Sequence, residues 1–220
     1  MAVTFQQVIP TWGNIGVSPQ TSGAFTPTAG SWLADIILDA SGTGKTLVYS
    51  GSVNTPLAKT SVDDASGGNT VGIAAVNSIT GGSQTLTVST SPTGDGVVGW
   101  GIEYSGISSD GNYTASAISF TSAPAGSAIT VPTGTYLYAF CVASTTSTNT
   151  ITASANGGVT PSTRGSGASS GSTYAYCHAD WVGTGGSITP TFAATGSTFV
   201  ILQLLLTPGA SGPPIGNGCF

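Results

Sequence analysis

Charge is what this 220-residue chain has least of: three Lys and Arg and eight Asp and Glu make 5% of its residues charged, with a single His besides, against about 25% in a typical globular domain. With so few cations and a formal charge of -5, it lacks the clustered Lys and Arg that displace counterions from nucleic acid. The same scarcity argues against a basic face resting on a membrane. Long apolar runs are missing too. The longest, 199–206, is interrupted by Gln203 and falls far short of the ~20 residues a membrane helix needs. Three cysteines, Cys141, Cys177 and Cys219, cannot all pair within one chain and do not suit a disulfide scaffold. The opening Met-Ala-Val-Thr-Phe-Gln-Gln has neither a basic stretch nor an apolar one, so no secretory signal is expected.

In place of charge the chain carries 33 Gly, 30 Ser and 34 Thr, with 39% apolar residues to fill a core. No window has the 3.6-residue period of an amphipathic helix, and charged helix formers are scarce. Short alternating or wholly apolar runs bounded by Gly, Pro, Asn and Ser recur instead, which is the pattern of strands and turns. They predict strands at 3–9, 32–38, 46–50, 70–76, 84–89, 97–104, 117–120, 136–143, 151–155, 174–181, 187–192 and 198–206. About twelve strands imply an all-β protein, a single β-sandwich or jelly-roll-like domain over 1–207 followed by an extended Gly/Pro-rich tail at 208–220.

The chain also echoes itself at an offset of 104 residues. Ser31-Trp32-Leu33 is answered by Thr135-Tyr136-Leu137, and Gly81-Gly82-Ser83 by Gly185-Gly186-Ser187. The repeat covers about 30–106 and 134–207, and the two halves are expected to share one core. Side-chain faces follow from the period of two. Along 98–104, Val98, Trp100, Ile102 and Tyr104 form a core face, while Gly99, Gly101 and Glu103 lie under something close-packed or at solvent. Along 174–181, Ala175, Cys177, Ala179 and Trp181 read as core, and Tyr174, Tyr176, His178 and Asp180 as a half-wet face.

The apolar strand at 32–38, the segment Ile102-Glu103-Tyr104-Ser105-Gly106-Ile107 and a last strand closing onto Thr207-Pro208 together resemble the Glu-Tyr-Ser-Gly type of jelly-roll-like domain. That type is found in structural proteins of tailed bacteriophages and in large secreted bacterial proteins. The resemblance covers roughly residues 3 to 207. It implies a fold and a setting, a virion or cell-surface module, and brings no catalytic motif.

The chemical motifs are weak. Ser41-Gly42-Thr43-Gly44-Lys45-Thr46 has the end of a phosphate-binding loop, but Asp39 stands where its first glycine belongs and the chain continues as strand. Gly167-Ala168-Ser169-Ser170-Gly171 matches a nucleophile elbow, a match that so much Gly and Ser produces by composition alone. His178 has Cys177 beside it, but neighbours on a strand point to opposite faces. Asp180 shares the face of His178 and is within reach of its imidazole, giving a surface pair rather than a triad. Asp63, Asp64 and Asn69 offer oxygens for Ca²⁺ without the alternating ligands of an EF-hand. Trp32, Trp100 and Trp181 fall in apolar alternation, which leaves Trp12 as the one Trp expected to be exposed.

These readings predict no catalytic residue, metal or cofactor, and a non-enzymatic virion structural protein, most simply a bacteriophage capsid decoration or other surface subunit. Such a protein is made in the host cytoplasm without a signal peptide and released by lysis. Its partners are neighbouring copies and other virion proteins, with neither nucleic acid nor membrane. The expected contact residues are Trp12, Pro213, Pro214, Ile215, Cys219 and Phe220. The alternative is a carbohydrate-binding or adhesive module of a phage tail or bacterial cell surface, with a surface glycan as partner.

Overall fold

A computed structural model describes residues 2–15, 17–40, 42–92, 96–143, 150–169, 174–194 and 197–209. Strands and turns account for all regular structure among them, with no helix. The first half contains β1 (Thr4–Ile15), β2 (Gln20–Thr21), β3 (Trp32–Asp39), β4 (Thr46–Gly51), β5 (Leu57–Asp63), β6 (Thr70–Val76), β7 (Leu86–Ser91) and β8 (Gly96–Ser105). The second contains β9 (Ile107–Thr121), β10 (Ile129–Thr130), β11 (Tyr136–Ala143), β12 (Thr152–Ser154), β13 (Ser162–Ala168), β14 (Ala175–Val182), β15 (Ser187–Ile188), β16 (Thr191–Ala193) and β17 (Ser197–Pro208).

Two five-stranded antiparallel sheets dominate, in the orders β1-β8-β3-β6-β5 and β9-β17-β11-β14-β13. These are one order written twice. A smaller sheet, β2-β7-β4, covers the first, while the pairs β10-β15 and β12-β16 cover the second. Each half thus wraps as a jelly roll, with early and late strands side by side. The correspondence extends to single residues: the bridge Phe25↔Gln84 in the first half recurs as Ile129↔Ile188.

The two large sheets lie face to face, which explains their composition. In β3, Trp32, Ala34, Ile36 and Leu38 point to the centre of the molecule and meet Tyr138, Phe140 and Val142 of β11 and Val200, Leu202 and Leu204 of β17. The alternate residues Leu33 and Ile37 point the other way, onto Leu47, Leu86 and Val88 of the small sheet. In the second half Leu137, Cys141 and Trp181 likewise face Ile151, Ile188 and Phe192. The expected single shared core is therefore three apolar layers between four layers of strand. Strands buried on both faces favour apolar residues along their whole length, and all eight residues of β3 are buried, with Asp35 and Asp39 the two polar exceptions.

Several strand expectations need correction. Among the described residues seventeen strands replace about twelve, partly because the small sheets contribute two- and three-residue strands. β9 begins ten residues before the predicted 117, and β1 continues past Pro10 to Ile15 with its register broken between Ile9 and Trp12. A bulge there absorbs the missing proline donor. β5 and β13, both absent from the prediction, are the equivalent edge strands of the two large sheets. Gly99 and Gly101 do lie under close-packed groups: a Cβ on Gly99 would come 2.3 Å from Trp12 Cε2, and one on Gly101 2.8 Å from Ile9 Cδ1.

Candidate functional site

Polar chemistry concentrates between the large sheets, where β14 turns His178 and Asp180 inward and Cys177, Ala179 and Trp181 into the outer layer of the second half. The predicted half-wet face is not wet: His178 and Asp180 are 0% and 1% exposed. β14 is covered on both sides, so its polar face closes onto the other sheet. Asp180 accepts two bonds from Arg164 of β13, 2.5 Å from Nε and 3.1 Å from Nη2, and one of 2.7 Å from the hydroxyl of Tyr104 on β8. That last bond ties the first half to the second. The forked guanidinium and the phenol together compensate a carboxylate that would otherwise be costly to bury.

His178 and Asp180 do not form the expected pair. His178 Nδ1 shares a 2.7 Å hydrogen bond with the Tyr138 hydroxyl, and its buried Nε2 has no hydrogen-bond partner among the described residues. Its ring packs 4.8 Å from Phe140 and 5.6 Å from Tyr176, centroid to centroid. Burial pulls its pKa down to about 3, so the imidazole is neutral across the physiological range. Cys177, on the opposite face, has its thiol pushed up to about 12 by burial, which removes the thiolate a nucleophile requires. This cluster holds the halves together.

Each seam between the large sheets has a cation over an aromatic ring. At one, Arg164 sits 5.1 Å over the Phe5 ring of β1. At the other, Lys59 of β5 sits 5.4 Å over the Tyr113 ring of β9 and 3.7 Å from Asp110 Oδ1. Asp110 also accepts from the Trp32 indole at 2.6 Å and from the Tyr113 hydroxyl. Burial alone would raise the Asp110 carboxyl, but those two bonds and the Lys59 charge hold it below its ordinary value. Lys59 and Arg164 are equivalent edge-strand residues 105 positions apart, a spacing close to the sequence repeat that would have paired them had the edge strands been recognised.

The segment 102–107 that carries the family resemblance lies at the junction of the halves. Glu103 accepts from Gln7 Nε2 at 2.6 Å and from the Thr28 N–H at 2.7 Å. Tyr104 reaches Asp180, and Ser105 Oγ accepts from Gln6 Nε2 at 2.7 Å. Gly106 turns the chain at φ +76°, where a Cβ would come 2.2 Å from the Ala2 carbonyl oxygen.

The remaining candidates resolve into structural parts. Asp64 accepts from the Ser66 hydroxyl, the Gly68 N–H and Asn69 Nδ2, all within its own hairpin. Asp63 accepts from the Thr70 hydroxyl at 2.6 Å and the Gly44 N–H. Their carboxyl oxygens face donors from the chain itself. Lys45 and Thr46 lead into β4, a strand, as expected. Ser169 is buried, and its Oγ accepts from the Tyr174 N–H at 3.1 Å.

Trp32, Trp100 and Trp181 are fully buried, as expected, but Trp12 is a correction. It is 5% exposed, because the bare backbone of Gly99 leaves a slot that its indole fills. Pro213, Pro214, Ile215, Cys219 and Phe220 lie outside the described residues.

Two further features had no signature in the sequence. Asp35, in the middle of β3, faces the inner layer of the first half, 0% exposed, and among the described residues neither carboxyl oxygen makes a well-aligned hydrogen bond. Burial raises its pKa well above the ordinary value, opposed by the N–H of Ile36. The hydroxyl of Tyr49 on β4 is likewise pushed up by burial and then by the charge of Asp35. Tyr49 also lines a cleft of about 310 Å³ between β4 and β5, with Lys45 and Lys59 on its walls.

Comparison with protein-family models, with curated proteins and with solved structures finds no match to this chain.

Proposed function

We propose that this chain is a non-enzymatic structural subunit of a virion, a bacteriophage capsid decoration or other surface subunit that packs against neighbouring copies and other virion proteins. The observation that carries the reading is the doubled jelly roll: two halves of one strand order, stacked sheet to sheet and tied across the middle by Tyr104–Asp180 and by a cation over an aromatic ring at each seam. Jelly rolls recur in viral capsids and in lectins. The link from architecture to setting is one of fold analogy. The junction role of 102–107 adds to it, since the segment that resembles the phage domain type bonds to β1 and to both halves.

Assembly is proposed to act through the residues after the last strand. β17 runs through Pro208, and the Gly209 N–H donates to the Gly106 carbonyl at 2.8 Å, so the informative truncation falls after Gly209. The truncated protein is expected to keep its fold and melting temperature and to be lost from purified virus particles, whereas antibody against the full chain labels those particles at many sites. Particles that incorporate the truncated chain as well as the full one would refute the role of the tail. Full-length protein found only outside particles would refute the virion reading itself.

A further inference from the structure

We propose that the cleft between β4 and β5 is a binding site for an acidic sugar, a hexuronate unit whose carboxylate is held by Lys45 and Lys59 and whose ring rests against Tyr49.

The cleft exists because the jelly roll is open on this side. Among the described residues β4 pairs only with β7 and β5 only with β6, so the free edges of two different sheets face each other. The space between them, about 310 Å³, is at the lower end of the range for small-ligand pockets. Two of the three cations in an acidic chain line it. The ion pairs among the described residues, Lys59–Asp110 and Arg164–Asp180, leave Lys45 unpaired. Lys59 meets Asp110 only at 3.7 Å and its side chain is 26% exposed, so an ammonium with three donors keeps some for a ligand.

The nearby carboxylates are otherwise occupied or enclosed. Asp63 accepts from Gly44 and Thr70, and Asp35 is buried within the half. Thr46, Thr60 and Ser61 also line the walls, and hydroxyl side chains can both donate to and accept from sugar hydroxyls. A half-buried tyrosine offers the flat apolar surface against which a pyranose face packs.

The second independent observation is where the repeat is broken. Tyr49 pairs with Val88, and its equivalent Ala153 pairs with Phe192. Ile37 pairs with Gly72, and their equivalents Cys141 and Cys177 pair with each other. The first half thus has a large polar ring over a glycine where the second has a cysteine beneath an alanine. A Cβ on Gly72 would come 2.8 Å from the Tyr49 hydroxyl oxygen and 2.6 Å from Leu47 Cδ1. The tyrosine sinks into the wall of the cleft only because Gly72 has no side chain.

This proposal goes beyond the assembly reading and is tested without particles. Calorimetric titration of the purified full chain compares glucuronate, glucose and inorganic phosphate, with Lys45→Gln as the variant. Lys45 is partly exposed and outside the core, so an unchanged melting temperature shows that the variant is folded. Glucuronate is expected to bind, more weakly as salt screens the ammonium groups. Glucose and phosphate are expected to bind at least tenfold more weakly, and Lys45→Gln to lose about tenfold in glucuronate affinity, the scale of one charge-assisted hydrogen bond. Glucose equal to glucuronate would overturn the role of the lysines, and phosphate equal to it the sugar. Undiminished binding by the variant, or no glucuronate binding by the wild type, would overturn the site.

Discussion

Replacing Asp35 by Asn should make the protein more stable as pH rises, a counter-intuitive result for an acidic residue in an acidic chain. Asp35 has Gly101 on one side and Ala74 on the other in the sheet, and no cation among the described residues is paired with it. Burial raises its folded-state pKa well above the ordinary value, so at intermediate pH the native protein holds a proton that the unfolded chain has released. Stability from this group is full below the unfolded carboxyl's value near 3.9 and falls as pH climbs towards the folded-state value. The slope is about 1.4 kcal/mol per pH unit, so two units inside that window remove about 2.7 kcal/mol. Against a typical total of roughly 5–15 kcal/mol, that is a large fraction.

Asn keeps the shape and leaves an equally unpartnered polar group, but does not titrate. Urea unfolding of wild type and Asp35→Asn across a pH series should therefore give curves that nearly meet at about pH 4 and diverge above it, with the variant the more stable. Asp35→Ala, which copies the equivalent Ala139 of the second half, should remove the same slope. Curves that stay parallel, or a wild type that gains on Asn with rising pH, would show that Asp35 has found a partner and that the argument from its burial is wrong.

His178 gives the opposite slope. Its folded-state pKa of about 3 lies below the ordinary 6.5, so its contribution is present above 6.5 and is lost on acidification towards 3; the stability lead of wild type over His178→Gln should narrow by about 1.4 kcal/mol per unit in that window, and a constant gap would contradict a buried neutral imidazole. Arg164→Gln leaves Asp180 buried with only the Tyr104 hydroxyl, and chemical denaturation should show a loss of about 3 kcal/mol; a change under about 0.5 kcal/mol, ordinary for surface sites, would mean that the Asp180 carboxylate is not enclosed. Gly99→Ala should cost about 1–3 kcal/mol by overpacking against Trp12 and change Trp fluorescence. A smaller side chain at Trp12 should partly offset the Gly99→Ala penalty, and simple additivity of the two changes would refute the contact.

Period-two alternation and the 104-residue echo were sufficient to read an all-β sandwich with two similar halves, and β6 and β11 have the predicted limits. Both are inner strands, where apolar residues are needed at nearly every position. The strands that escaped, β5 and β13, have mostly exposed or half-buried residues. An edge strand is held by backbone bonds to a single neighbour and needs no continuous apolar pattern; its mark here is a single cation at a register break, too sparse to show as a period. Missing them also hid Lys59 and Arg164, the two cations that close the seams, and with Lys59 one wall of the cleft.

What the sequence by itself determined is which residues share a face: His178 with Asp180, Cys177 with Trp181, the glycines of β8 opposite its aromatics. Only the tertiary structure decided what each face meets. Alternation along a strand is a local property of the pleat, whereas burial depends on how many layers are stacked, and a half-polar face looks the same against water as against a second sheet that supplies its bonds. With four layers of strands, the face of His178 and Asp180 met Tyr104, Tyr138 and Arg164 instead of solvent. Trp12 was covered for a related reason, since its place was made by a glycine on a strand more than eighty residues away in the chain.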